Sequence, residues 1–239
     1  KDNLDEIGQN LSLYNISVDV DVETKSVMGN LNLNYVNNSD DVLKNIKFHL
    51  YPQFFEEGNT DKVVASTILN DAYPNGMSYA KFDVDRVQVS GQDVSVIYSG
   101  DCDGILDVSL PASILPSDSV DISIDFSFIL PNCEHRFGYG DNTINLANFY
   151  PIVCVYENGE FDTSGYNSNG DPFYSDMANY VVNVGVNRDY VVAGSGVRAN
   201  ESIVDGRKQV TFNANVVRDF ALVISNKFEI KSTKAVDVS

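Results

Sequence analysis

One stretch constrains the fold more than any other. Residues 120–130, VDISIDFSFIL, place Val120, Ile122, Ile124, Phe126, Phe128 and Leu130 at alternate positions, with polar or charged residues between all but the last pair. A helix would scatter those six side chains around its axis; an extended strand puts all of them on one face. The same period of two recurs in 14–22, where Tyr14, Ile16, Val18, Val20 and Val22 alternate with Asn15, Ser17, Asp19 and Asp21. It recurs in Leu31, Leu33 and Tyr35, and again in Ile46, Phe48 and Leu50 with Lys47 and His49 between them. The runs ETKS (23–26) and NNSDD (37–41) have turn composition. The opening therefore reads as an antiparallel meander with one buried and one wet face.

Further strands are predicted at 82–90, 94–98, 104–110, 179–186, 190–193, 208–214, 219–225 and 227–232, with Pro111 and Pro116 bracketing a turn. Residues 52–80 read as a long loop with one short helix. Residues 132–178 read as a second irregular region, interrupted by the apolar run FYPIVCVY (149–156). No 3.6-residue period survives over a helix-length window. The predicted fold is all-β: an antiparallel β-sandwich, or a large twisted sheet with a smaller second sheet. With no linker and no internal repeat, residues 1–239 read as a single domain, long enough to bury a substantial core.

Charge narrows the partners. Thirty-four acidic against sixteen basic side chains give a net charge of −18. A field of that sign repels nucleic-acid backbones and anionic lipid surfaces, and favours solubility and cationic partners. No apolar run is long enough to span a membrane. The first ten residues, KDNLDEIGQN, are polar and lack an initial methionine, as in a mature chain trimmed of a targeting segment. Cys102, Cys133 and Cys154 cannot all pair with one another, so one bridge or three free thiols remain open.

Motifs that carry chemistry are sparse. There is no His-Glu-x-x-His, nucleophile elbow, phosphate-binding loop or dinucleotide fingerprint; Gly194-Ser195-Gly196 lacks the elbow's spacing. Cys133 with His135 makes only half of a zinc site and reads as a loop thiol beside a surface imidazole, while His49 falls on the polar face of its strand. DCDGILD (101–107) echoes a calcium loop but lacks its closing glutamate, and a polar hairpin turn fits better. Asp83 and Asp85 alternate on a strand and are predicted to face solvent. Asn-x-Ser/Thr sequons occur at Asn10, Asn15, Asn37 and Asn200.

Four segments carry a resemblance. NNSDDVLKNIKFHLYPQF (37–54) and RFGYG with LANFYPIVCVYENGEF (136–161) are two of them. DPFYSDMANYVVNVGVNRDYVVAGSGV (171–197) and VRDFALVISNKFEI (217–230) are the others. In this order they resemble the N-terminal domain of aminopeptidase N-like zinc metallopeptidases, the gluzincin aminopeptidases, over nearly the whole chain. The resemblance implies a saddle-like β domain that docks on its own catalytic domain and helps shape the site for the peptide substrate's N-terminus. It also implies that zinc, its ligands and the general base belong to that other domain. No catalytic or metal-ligating residue, and no cofactor, is then expected within this chain. Members lend a Gln or Glu to the substrate's α-amine, nine residues before a proline. Counting back from Pro151 gives Asn142, which is shorter than either and neutral, and which also reads as a turn residue in GDNT (140–143). Similarity to secreted members places the chain outside the cell or at the cell envelope.

A docking domain keeps part of its surface apolar. Phe137, Tyr139, Phe149, Tyr150, Tyr156, Phe161, Tyr166, Phe173 and Tyr174 either contribute to such an interface or pack beneath their own loops. Two rival readings are a stand-alone extracellular β-sandwich module that binds protein or carbohydrate, and a hydrolase acting through an acidic pair.

Overall fold

The computed structural model describes residues 8, 10–59, 63–168 and 173–231. The ends of the predicted 1–239 domain, including most of its polar opening, lie outside these, as do Asp171 and Pro172. The strands run in chain order as β1 (Leu13–Asp21), β2 (Ser26–Val36), β3 (Leu43–His49), β4 (Lys81–Val89), β5 (Gln92–Asp93) and β6 (Val96–Ser99). Next come β7 (Ile105–Ile114), β8 (Ser119–Ile129), β9 (Phe137–Tyr139), β10 (Ile144–Ala147), β11 (Ile152–Val153) and β12 (Tyr156–Glu157). The last six are β13 (Glu160–Phe161), β14 (Ala178–Asn187), β15 (Val191–Gly194), β16 (Val197–Val204), β17 (Arg207–Val217) and β18 (Ala221–Ser225).

The alternating stretches build one eight-stranded sheet, ordered β16-β17-β14-β1-β2-β8-β4-β5. Its inner face is apolar because the period of two makes it so: Ile16, Val18 and Val20 of β1, Leu31 and Leu33 of β2, and Ile122, Ile124, Phe126 and Phe128 of β8 are all buried. Its outer face carries the alternate amides and carboxylates, which bond one another. Asn30 Nδ2 donates to Asp125 Oδ1 at 2.6 Å, and Asn34 Nδ2 to Asp121 Oδ1 at 2.8 Å.

Two four-stranded sheets, β15-β18-β10-β9 and β11-β3-β7-β6, cover the inner face, and β12 and β13 form a separate hairpin. Aromatic rings join the layers: Phe128 meets Phe137 with centroids 5.4 Å apart, and Tyr14 meets Tyr150 edge-on at 5.9 Å. One continuous core results. The all-β sandwich expectation holds.

Several expectations are corrected. The opening is not a three-strand meander: β1 and β2 pair antiparallel, but β3 crosses to the second layer, where it pairs with β7 and β11. Nor is the large sheet wholly antiparallel. β1 runs parallel to β14, from Leu13↔Asn179 to Asp19↔Gly185. Pro111 lies inside β7 rather than at a turn. It falls beyond the stretch paired with β6 and within a register shift against β3, where no ladder bond demands its missing N–H. Among the described residues of 132–177, five short strands form, β9 to β13. Residues 227–231 form no strand, and 232 lies outside the described residues; Phe228 and Ile230 stand exposed. An unforeseen edge strand, β16, closes the large sheet.

Candidate functional site

The β9–β10 hairpin presents Asn142. Ile144 and Leu146 face the core, and β10 is held on β18 through Ile144↔Ile224 and Leu146↔Leu222. The Gly140 N–H donates to the Thr143 carbonyl at 2.9 Å, closing the turn. Side chains brace its base: Asn145 Nδ2 donates to the His135 carbonyl at 2.8 Å, and Asn132 Nδ2 to that of Tyr139 at 3.1 Å. Gly138 has φ +144°, and a Cβ there would stand 2.5 Å from the Cys133 carbonyl oxygen, so only glycine lets the strand pass so close.

Asn142 therefore stands exposed at the tip of a braced turn, beside exposed Asp141. Glu134 folds over the same tip. Its Oε1 is 2.6 Å from where a Gly140 Cβ would lie. An amide and two carboxylates at a fixed, open tip can accept hydrogen bonds from an ammonium group.

The Cys133–His135 pair does not fit a metal. The Cys133 thiol is fully buried, and burial pushes its pKa up to about 11. His135 is half-buried rather than a surface imidazole. Burial and the neighbouring Arg136 lower its pKa, and its Nδ1 is buried without a hydrogen-bond partner. Among the described residues no three His, Cys, Asp or Glu side chains converge. Cys133 and Cys154 are buried free thiols.

His49 is also corrected. It is buried, not wet, with its ring stacked on Tyr51 at 4.9 Å. Burial lowers its pKa to about 4, against an opposing hydrogen bond and charge from Asp162. β3 is wet at Lys44 but covered at His49, where Tyr51 just beyond the strand packs on the ring, and alternation alone does not reveal this.

Residues 100–104 are the turn between β6 and β7, as read. Asp107 of the 101–107 run points away to β3, accepting from Asn45 Nδ2 at 2.6 Å and pairing with Lys47 at 3.6 Å. Asp83 and Asp85 are exposed, with Asp83 2.8 Å from Lys81 Nζ. Of the sequons, Asn10, Asn15 and Asn200 are exposed, but Asn37 is buried. Its amide shapes the 37–41 turn, donating to the Asp41 carbonyl at 2.8 Å and accepting from Ser39 Oγ at 2.7 Å. In the aromatic set, Phe137, Phe149, Tyr150 and Tyr166 are buried and Tyr139, Tyr156, Phe161 and Phe173 partly so, leaving Tyr174 exposed. Most of these aromatics pack inward: Phe137 and Tyr150 join the layers of the core, Tyr166 packs on Phe54 and Phe55, and Tyr156 packs on Phe161 within its own hairpin.

A second concave feature lies where β1 and β14 begin and β2 ends. It is a cavity of about 390 Å³ walled by Tyr14, Tyr35, Val153 and Met177, with Asp176 and Arg218 also lining it. No sequence pattern points to it, because its lining comes from strand ends far apart in the chain.

Comparison by fold finds similar structures. An M1 zinc metallopeptidase from Deinococcus radiodurans aligns with a TM-score of 0.53 and 14% identity, covering 90% of this chain and 42% of that chain. A mutant of that enzyme bound to a Tyr-Ser-Ala substrate aligns with a TM-score of 0.53 and 15% identity over the same shares. A two-domain M1 zinc metallopeptidase mutant bound to L-tryptophan aligns with a TM-score of 0.52 and 15% identity, again over 90% and 42%. Identity this low speaks for the fold alone. The chain spans less than half the length of these structures. No protein-family model matches the sequence, and no curated protein matches it.

Proposed function

We propose that this chain is the non-catalytic N-terminal β domain of a zinc aminopeptidase-like metallopeptidase, acting as a scaffold that docks on a catalytic domain. The observation that carries this is the correspondence of 90% of the chain to 42% of an M1 zinc metallopeptidase. The four ordered sequence segments support it independently. In this reading zinc and the residues that activate water belong to the partner domain, whose peptide substrate is shared. The resemblance to secreted members and the strong acidity support a place outside the cell or at its envelope.

The braced β9–β10 tip is the part of the domain that reaches the substrate, with Asn142 accepting from its α-amine. Support for this is the tip's exposure and its accepting chemistry. In the full-length gene product, Asn142→Ala then raises KM for amino-acid arylamides with little change in kcat, since a ground-state contact is lost. An unchanged KM removes Asn142 from the site.

The scaffold role is tested by adding this chain to a separately expressed remainder of the gene product. Saturable association with gain of arylamidase activity is the expected outcome. A remainder that is fully active and does not bind the chain contradicts it.

A further inference from the structure

The cavity at the end of the large sheet is independent of the docking reading, and its lining has a definite chemistry. Leu11, Val36 and Val153 supply apolar walls, Tyr14 and Tyr35 aromatic ones, and Met177 stands at the exposed rim. Asp176 and Arg218, both exposed, bring one negative and one positive group to the same opening. The hollow is amphiphilic, with Ser12, Asn38 and Ser39 adding polar lining beside Asp176 and Arg218; apolar walls with convergent polar groups are the usual form of a small-molecule site, and this volume lies near the small end of the range.

Its polar groups are held in place. Arg218 Nη1 donates to the Ser175 carbonyl at 2.6 Å, while Ser175 Oγ donates back to the Arg218 carbonyl at 2.7 Å. The Tyr180 hydroxyl donates to that same carbonyl at 3.3 Å. This reciprocal clamp fixes residues 175–177 against 217–219. It also occupies one guanidinium nitrogen while leaving N–H groups free for an anion. The Tyr14 hydroxyl accepts from the Val153 N–H at 3.1 Å, fixing the floor. Partial desolvation at the mouth holds the Asp176 carboxyl above its ordinary range, against the opposing charge of Arg218 and with that of Glu157.

From this arrangement we infer that the cavity binds a small zwitterion of the α-amino acid type with an apolar side chain, its ammonium toward Asp176, its carboxylate toward Arg218 and its side chain against the apolar wall. Opposite charges at one mouth select a ligand that carries both. A simple cation would meet Arg218, and a simple anion would meet Asp176 and the net charge of −18.

The three methionines provide the test. With the intact chain labelled at its methionine methyl groups, L-leucine is titrated by NMR; Met177 reports on the cavity, and Met28 and Met77, exposed and not among its lining residues, serve as controls. The expected result is a saturable shift of Met177 alone, weakened at least about tenfold for N-acetyl-L-leucine and for L-leucinamide, each of which lacks one charge. Asp176→Asn, at an exposed position, lowers affinity for L-leucine by a similar factor while the melting temperature is retained. No Met177 shift at millimolar L-leucine overturns the inference. So does binding indifferent to blocked termini, a result that needs no variant to fold.

Discussion

Gly29 of β2 and Phe126 of β8 are cross-strand neighbours, and the Phe126 ring lies directly over the glycine. A Cβ at Gly29 would stand 2.3 Å from that ring. The ring also stacks with Phe82 and Phe128 at 5.9 and 6.3 Å, so it has no simple retreat. Gly29→Ala therefore overpacks the centre of the large sheet and costs about 1–3 kcal/mol. A urea titration followed by circular dichroism shows this as a lower midpoint at unchanged slope. An unchanged midpoint means the ring moves freely and is not locked in its stack.

Two buried tyrosines hold the layers together by accepting orphan backbone N–H groups. Tyr150 accepts from Phe220 at 3.1 Å, and Tyr14 from Val153 at 3.1 Å. Tyr150→Phe keeps the ring and strands the Phe220 N–H in the core, at a cost of about 1–3 kcal/mol. Thermal unfolding measures it; a loss well below that range indicates that water enters to replace the hydroxyl.

His49 gives the fold a pH dependence of known sign. Its folded pKa is about 4, below the ordinary imidazole value of 6.5. Between those values the unfolded chain binds the extra proton, so stability is complete above about pH 6.5 and falls as pH drops toward 4, by up to about 3 kcal/mol. His49→Phe, which preserves the stack on Tyr51, flattens the stability curve over that window. Parallel curves for the two proteins contradict the assignment.

The three thiols differ in reach. Cys133 and Cys154 are buried, and burial raises the pKa of both, whereas Cys102 is only half-buried on the 101–103 turn. A thiol reagent at neutral pH then modifies one cysteine rapidly in the folded chain and three after unfolding. Rapid loss of all three while folded indicates an open second layer.

Much of the fold was legible because the large sheet has one wet face, so β1, β2, β8 and β14 display a clean period of two. β16 was not. VRANESIV is an exposed edge strand with nothing to bury, and its residues carry no alternation. The parallel pairing of β1 with β14 is a long-range choice that no local pattern encodes. His49 lies at the end of β3, where Tyr51 just beyond the strand packs on its ring, so a residue at a polar position there becomes core. The tip bearing Asn142 was located from the segment RFGYG and the spacing to Pro151. The brace around it, by Asn132, Asn145 and Glu134, depends on tertiary contacts and had no sequence signal. The cavity was invisible for the same reason.

The most direct test of the scaffold assignment compares this chain with the full-length gene product for amino-acid arylamide hydrolysis and bound zinc, measured side by side. Activity and stoichiometric zinc in the full-length product, with neither in this chain, is the predicted result. Hydrolysis by this chain alone, lost on substitution of its own residues, would contradict the assignment.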